Sequence, residues 1–289
     1  VNCFGKFGIE SGYLIEVDAY AYSEPVYFVS TRGNPVTIKY PADDEIVPEQ
    51  IEYIKEQYEK FEAKLFSSVF DKATGYRQYF DVESFLRHFL VGEMSGNTDT
   101  YWSVYMYKHR DDNHLYVGPV WDFDLAYEND NRTYPINSLD DWIYRTKGSI
   151  AGNFRSVVDR IVVSDTKART RLEELWDYFR RSCGIDENTL LGVVDDTAKE
   201  LYPSQKLNFI RWDILSEQVH QNWQASGNYD TEVEIVKNYI KERIAWIDEH
   251  LHFDPTGIND IHDSKSMENT DIYSIDGKKV GQDIDVLPK

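Results

Sequence analysis

The chain has 289 residues, of which 41% are hydrophobic and 15% aromatic, so it can build the core of one large domain or two ordinary ones. Its formal net charge of −20 repels phosphate groups and argues against a nucleic-acid partner. With two cysteines, no Cys/His cluster of zinc spacing and no apolar run of membrane-spanning length, neither a zinc site nor a transmembrane segment is predicted.

The ends of the chain are typical of a mature or shortened protein, because there is no starting Met and no signal peptide. A single disulfide between Cys3 and Cys183 depends on geometry that the sequence does not give. The oligomeric state cannot be read from the sequence either.

Residues 1–12 form a predicted glycine-rich loop. The residues that follow it, up to residue 40, predict a small sheet. Val, Ile, Tyr and Phe are concentrated in three stretches separated by turn residues, which is typical of strands. The three predicted strands are residues 12–18, 26–31 and 36–40. In the first, Glu16 alternates with apolar neighbours and therefore faces water or a site. Lys39, in the third, suits a phosphate contact, although most strand lysines end in solvent at a sheet edge.

Two helices follow. Apolar residues recur at steps of three and four over residues 48–65, and Pro48 suits a first helical position. Residues 82–94 predict the second helix, with Asp81 as its N-cap and Gly96 as its stop. An acidic turn over residues 95–99 comes next.

A hairpin of two strands, residues 102–108 and 115–124, then carries the acids of greatest interest. In an extended second strand, Asp122 and Asp124 share one face and their aromatic neighbours share the other, in the core. Antiparallel pairing would bring Asp99, at the entry of the first strand, beside them. We therefore expect three carboxylates at one spot. The alternative is a half-exposed edge strand whose acids are solvated.

The turn of this hairpin contains His109-Arg110-Asp111, the same three residues as the catalytic triplet of ordinary protein kinases. Its position among turn residues at the far tip of the hairpin favours a solvated turn instead.

The second half of the chain predicts mainly helices. These are residues 154–162, 167–182, 187–202, 206–219 and 231–250. Their four tryptophans are interpreted as core residues, because aromatic side chains dominate core burial. They are Trp176, Trp212, Trp223 and Trp246. A composition change near residue 253 predicts a linker, 253–269, followed by a small β hairpin within 270–289.

Four motifs together resemble the CotH family of secreted, atypical protein kinases, which is named after a spore-coat protein. They are GYLIEVD (12–18), VTIKYP (36–41), NTDTYWSVYMYK (97–108) and, most specifically, GPVWDFDLAYEN (118–129). The resemblance covers roughly residues 8–250. Together with the composition change near residue 253, it gives predicted domain limits of 1–252. The tail resembles the start of a C-terminal secretion or anchoring module on bacterial surface proteins.

The resemblance implies an α+β, kinase-like fold with a small mixed β lobe, a larger helical lobe, and ATP with Mg²⁺ or Mn²⁺ between them. Asp99 would be the acid-base residue, and Asp122 and Asp124 the metal ligands. Lys39 and Glu16 would contact the phosphates. The implied substrate is Ser or Thr of a secreted or surface protein, at a bacterial cell surface.

Two departures from the family pattern bear on activity. Where some members and ordinary kinases place a metal-binding Asn, five positions after the catalytic Asp, this chain has Val104. Strands that normally precede the first motif are absent, so the domain is interpreted as N-terminally truncated. A non-catalytic surface or adhesion module therefore stays as an alternative, and a glycoside hydrolase with paired Asp residues is the second.

Overall fold

Five strands form one antiparallel sheet in the order β2-β3-β1-β4-β5. The computed structural model describes residues 11–70, 74–132, 141–146 and 151–256, together with the backbone of 272–273 and 279–281. The strands of this sheet are β1 (Tyr13–Asp18), β2 (Tyr27–Val29), β3 (Pro35–Tyr40), β4 (Ser103–Lys108) and β5 (Tyr116–Val117). The expected α+β class is confirmed, and all pairs of this sheet are antiparallel where a mixed β lobe was expected.

The sheet has one apolar face and one polar face because its side chains alternate along each strand. The apolar face contributes fully or nearly fully buried side chains to the core. They are Ile15, Val17, Val36, Ile38, Val104 and Met106. On the other face Glu16 lies in register with Thr37 of β3 and Tyr105 of β4. This polar face is where the predicted Lys39 and Glu16 belong.

Six helices complete the described part of the fold. They are α1 (Pro48–Leu65), α2 (Val82–Ser95), α3 (Phe154–Asp159), α4 (Thr166–Ser182), α5 (Glu187–Arg211) and α6 (Tyr229–His250). The bounds of α1 agree with the prediction. Asp81 caps α2 by accepting a 2.7 Å hydrogen bond from the amide of Ser84, and Gly96 ends it at φ +66°.

The second strand of the hairpin is much shorter than predicted. Pairing stops after Val117, because Pro119 has no N–H to donate and Asp122 adopts φ +61°. The expected burial of the aromatic residues beside the acids is also wrong for Trp121, which is 46% exposed. Residues 118–132 therefore form a loop, and the alternation of aromatic and acidic residues within it does not mark a strand.

The helices of the second half differ from the prediction at one place. Residues 187–211 form a single helix, α5, which continues through Pro203, and the region from residue 212 to α6 is irregular. Trp176 is a core residue as expected. The same expectation is wrong for Trp212 and Trp223, which are 54% and 36% exposed and lie in the irregular region after α5.

A buried ion pair connects α2 to α6. Glu93 and Arg243 are both fully buried, with 3.0 Å between a carboxylate oxygen and a guanidinium nitrogen. Glu93 also accepts hydrogen bonds from the Tyr101 hydroxyl at 2.7 Å and from the Ile143 amide at 2.6 Å. Such a pair persists only when the remaining lone pairs are satisfied, as they are here. The network fixes the segment that leads into β4.

The chain divides into two compact units, residues 1–253 and 254–289. In the second unit, β6 (Ile272–Tyr273) pairs antiparallel with β7 (Lys279–Gly281), as a hairpin requires. The assignment of this hairpin to a secretion or anchoring module stays a prediction, as do the domain limits of 1–252. Cys183 is exposed, and Cys3 lies outside the described residues, as does most of the glycine-rich loop. Among the described helices, none has the length and apolarity to cross a membrane.

Candidate active site

Asp99 lies on a short 3-10 helix, Thr98–Tyr101, between α2 and β4. Gly96 reverses the chain at the end of α2, and the fully buried Asn97 follows it. The Asn97 side-chain oxygen accepts a 3.1 Å hydrogen bond from the amide of Asp99. The backbone at Asp99 is therefore fixed by a residue that sequence reasoning placed only in an acidic turn.

Asp122 and Asp124 lie on the loop that follows β5, and their side chains are exposed. The Asn97 amide group donates to the carbonyl oxygen of Asp122 at 2.9 Å, and Asn129 donates to that of Asp124 at the same distance. Trp121 packs edge-to-face on Tyr105 of β4, with 5.4 Å between ring centres. These contacts hold the loop against the polar face of the sheet.

The carboxyl groups of Asp122 and Asp124 lie within hydrogen-bonding range of each other. Partial desolvation raises the pKa of Asp122 above its usual value, and the charges of Asp124 and Asp99 raise it further. Desolvation likewise raises the pKa of Asp99, against the opposing effect of a nearby arginine. Three carboxylates thus interact electrostatically, and the arrangement favours a cation beside Asp122 and Asp124.

The expected convergence of all three carboxylates on one metal-sized spot is not found. Within the described residues, no group of three His, Cys, Asp or Glu side chains is arranged to hold a metal ion. A pair of carboxylates still suits Mg²⁺, which binds proteins through one or two carboxylates and fills its shell with phosphate oxygens and water. The donor set therefore fits a metal that arrives with a nucleotide.

Two residues that sequence reasoning missed complete this cluster. Arg132 forms ion pairs with Asp99 at 2.8 Å and with Asp130 at 2.7 Å, and the Asp130 side chain is 2% exposed. The available signal was the spacing Asp130-Asn131-Arg132 directly after the aromatic and acidic motif. A charged pair two residues apart in a loop is common, so the signal alone did not distinguish a site from a solvated turn.

Lys39 and Glu16 meet on the polar face of the sheet. Their side chains form an ion pair at 3.0 Å, and Lys39 also reaches Glu24 at 3.2 Å. Glu16 is 4% exposed and accepts a short hydrogen bond from the hydroxyl of Ser103. A buried carboxylate thus orients the lysine, as the lysine–glutamate pair does in protein kinases.

Val104 stands at the position where ordinary kinases have a second metal-binding residue, and its side chain cannot bind a metal. Val104 is fully buried on the apolar face of the sheet, and the neighbouring Ser103 already donates to Glu16. Neither side chain replaces the missing asparagine as a metal ligand.

A shallow cavity of about 460 Å³ lies between α5 and α6, and Tyr202 and Tyr229 contribute to its lining. None of the predicted site residues lines it. It therefore adds nothing to the acidic cluster or to the polar face.

The protein is of the α+β, kinase-like class. It has an antiparallel sheet with a Lys–Glu pair on its polar face, an acidic loop beside that sheet, and a helical remainder. The family model described as CotH kinase protein matches residues 6–247, and the chain belongs to that family. No curated protein and no solved structure matches the chain.

Proposed function

We propose that the protein transfers the γ-phosphoryl group of Mg²⁺- or Mn²⁺-bound ATP to a Ser or Thr hydroxyl of secreted or surface proteins. The observation that carries the proposal is the clustering of Asp99, Asp122 and Asp124. Desolvation raises the pKa of Asp122, and the charges of Asp124 and Asp99 raise it further. Family membership supports the same reaction class. The location at a bacterial surface rests on the resemblance.

In this proposal Asp99 orients the acceptor hydroxyl and accepts its proton. The bond between the acceptor oxygen and phosphorus forms while the bond from phosphorus to the bridging oxygen breaks, and ADP leaves with that electron pair. Asp122 and Asp124 would hold the metal, which neutralises charge on the phosphate oxygens when it is bound. Lys39, held by Glu16, would contact the phosphates.

A second candidate, a non-catalytic surface module with the same fold, is favoured by one specific observation. Val104 takes the place of a metal-binding asparagine and is fully buried, so the second metal site of ordinary kinases lacks that ligand here. A glycoside hydrolase with the pair Asp122 and Asp124 is disfavoured. Their carboxyl groups lie in hydrogen-bonding range, whereas hydrolysis of a sugar bond needs a separation of about 5–9.5 Å.

Two measurements on the full chain separate these candidates. ATP with Mn²⁺ should raise the melting temperature, since a ligand that binds only the folded state stabilises it. Radioactive phosphate should then pass from labelled ATP to the serines of an added protein mixture. Stabilisation without transfer would support the non-catalytic module, and the absence of both would overturn the kinase proposal.

A further inference from the structure

The guanidinium group of Arg132 lies between two carboxylates with different surroundings. Asp130, almost fully buried, accepts hydrogen bonds from Nε at 2.9 and 3.0 Å and from Nη2 at 2.7 Å. Nη2 also donates to Oδ1 of Asp99 at 2.8 Å. The ring of Trp102 lies 5.9 Å from the guanidinium carbon. Asp130 thus anchors one edge of the guanidinium, and the contact with Asp99 is made from that fixed position.

The anchored side chain keeps donors for a ligand. Its remaining terminal nitrogen, Nη1, forms no hydrogen bond with any residue in the described ranges, and the side chain is 25% exposed. A guanidinium has five N–H donors in a planar fork that matches the oxygens of phosphate.

The distance from Asp99 limits where a transferred phosphoryl group can lie. A hydroxyl that donates to Asp99 has its oxygen about 2.7 Å from the carboxylate. That oxygen is about 3–3.5 Å from the atom it attacks in a reactive geometry. Phosphorus therefore lies within about 6 Å of the Asp99 carboxylate when transfer begins, by the sum of these two separations. A guanidinium that touches the same carboxylate is within reach of the phosphoryl oxygens.

The closed second metal site creates a need for positive charge at this place. Val104 cannot bind a metal, so part of the charge on the transferred group would go uncompensated. In other phosphoryl-transfer enzymes an arginine of the same chain supplies that charge. The ion pairs that the acidic cluster forms within the described residues both involve Arg132.

We propose that Arg132 is a catalytic residue, whose guanidinium binds the γ-phosphoryl oxygens of the nucleotide while it holds Asp99 toward the acceptor hydroxyl. The inference rests on the proposed function. It adds a requirement that the proposed function alone does not make. Arg132 should contribute to the affinity for ATP and not to the affinity for ADP.

The test compares the affinities of ATP and ADP, each with Mn²⁺, by calorimetry on the full chain. Arg132→Gln should weaken ATP binding by about 10- to 100-fold, the value of a charge-assisted hydrogen bond, and leave ADP binding within about threefold. Arg132→Lys should recover part of the loss, because the charge remains but the planar fork is gone. Arg87→Gln is the matched control, since Arg87 pairs with Glu83 on an exposed helix face at 2.7 Å.

Retained ADP binding shows that the variant site is folded, so the comparison does not depend on turnover. Equal weakening of ATP and ADP would assign Arg132 to general support of the loop and overturn the inference. Unchanged affinity for both nucleotides in Arg132→Gln would overturn it as well. If the wild-type chain binds neither nucleotide, the proposed function itself fails, and the inference fails with it.

Discussion

The side-chain amide of Asn97 donates a 2.9 Å hydrogen bond to the backbone carbonyl of Asp122. Its oxygen accepts from the amide of Asp99 at 3.1 Å, so one buried side chain connects the two segments that carry the proposed chemistry. The separation between the proposed acid-base residue and the proposed metal ligands is therefore set by a residue that has no chemical role of its own.

Asn97→Ala should weaken Mn²⁺ binding by about tenfold, a common effect of removing a group that orients a metal ligand. It should also lower the free energy of unfolding by about 1–3 kcal/mol, because buried backbone groups lose their partner. Calorimetric titration with Mn²⁺ and unfolding in urea measure the two effects.

The matched control for Asn97 is Asn129→Ala, which removes an amide bond of the same length to the carbonyl of Asp124. That bond is exposed, so water can replace it, and Mn²⁺ affinity should change by less than about threefold. Equal losses in the two variants would show that burial of Asn97 does not matter to the loop.

Asp99→Asn should reduce phosphate transfer by about 10²–10⁴-fold, because the amide cannot accept a proton, and should leave nucleotide affinity nearly unchanged. Transfer of labelled phosphate and nucleotide calorimetry measure the two quantities. Asp111→Asn is the control, since Asp111 is exposed in the hairpin turn and belongs to the triplet shared with ordinary kinases. Wild-type transfer by Asp99→Asn, or its loss in Asp111→Asn, would contradict the assignment.

Local signals in the sequence were sufficient for several elements. The apolar stripe and Pro48 predicted the bounds of α1, and the capping residue Asp81 and the stop at Gly96 predicted those of α2 to within one residue. The turn between β4 and β5 was also expected. In each case the determinant lies in the element itself or within a few residues of its end: a periodic apolar stripe, a proline, a capping side chain or a glycine.

The loop of residues 118–132 shows why other features were missed. Its aromatic and acidic residues alternate as in a strand, but Pro119 interrupts pairing and the left-handed backbone at Asp122 has no sequence signature. Trp121 packs on Tyr105 from a neighbouring strand, which is a tertiary contact. The partnership of Arg132 with Asp99 joins residues 33 positions apart, so no local pattern reports it.

The carboxyl group of Asp122 has a measurable cost to stability when it is ionised. The pKa of Asp122 is raised in the folded protein, so its ionised form is disfavoured there relative to the unfolded chain. This cost is absent below the unfolded pKa of about 4 and develops as the pH rises through the folded pKa. Asp122→Asn should therefore raise the melting temperature at pH 7 in metal-free buffer, and not at pH 4.

Asp111→Asn is again the control for Asp122→Asn, because both residues adopt a left-handed backbone, φ +64° and φ +61°, that asparagine tolerates. Melting curves with a chelator present at each pH measure the difference. A lower melting temperature for Asp122→Asn at pH 7 would show that its carboxylate stabilises the metal-free loop. The same variant should bind Mn²⁺ more weakly.

His88 lies on α2 directly behind the Asp99 turn, with 3.4 Å between its Nε2 and the carbonyl oxygen of Thr100. Burial lowers the pKa of His88 from 6.5 to about 4, against a smaller opposing effect of that carbonyl. Between pH 4 and pH 6.5, His88 is therefore protonated in the unfolded chain and neutral in the folded chain. Stability from this residue is complete above pH 6.5 and is lost as the pH falls toward 4.

Between pH 7 and pH 5 this loss amounts to about 2 kcal/mol, from the two pKa values and the linkage relation. His88→Phe fills a similar volume without a titrating group, so its free energy of unfolding should fall less than that of the wild type over this interval. Urea unfolding at the two pH values gives the comparison, with His109→Gln as an exposed control. If His88→Phe loses as much stability as the wild type, His88 is protonated in the folded protein, and acid unfolding has its source among the carboxylates instead.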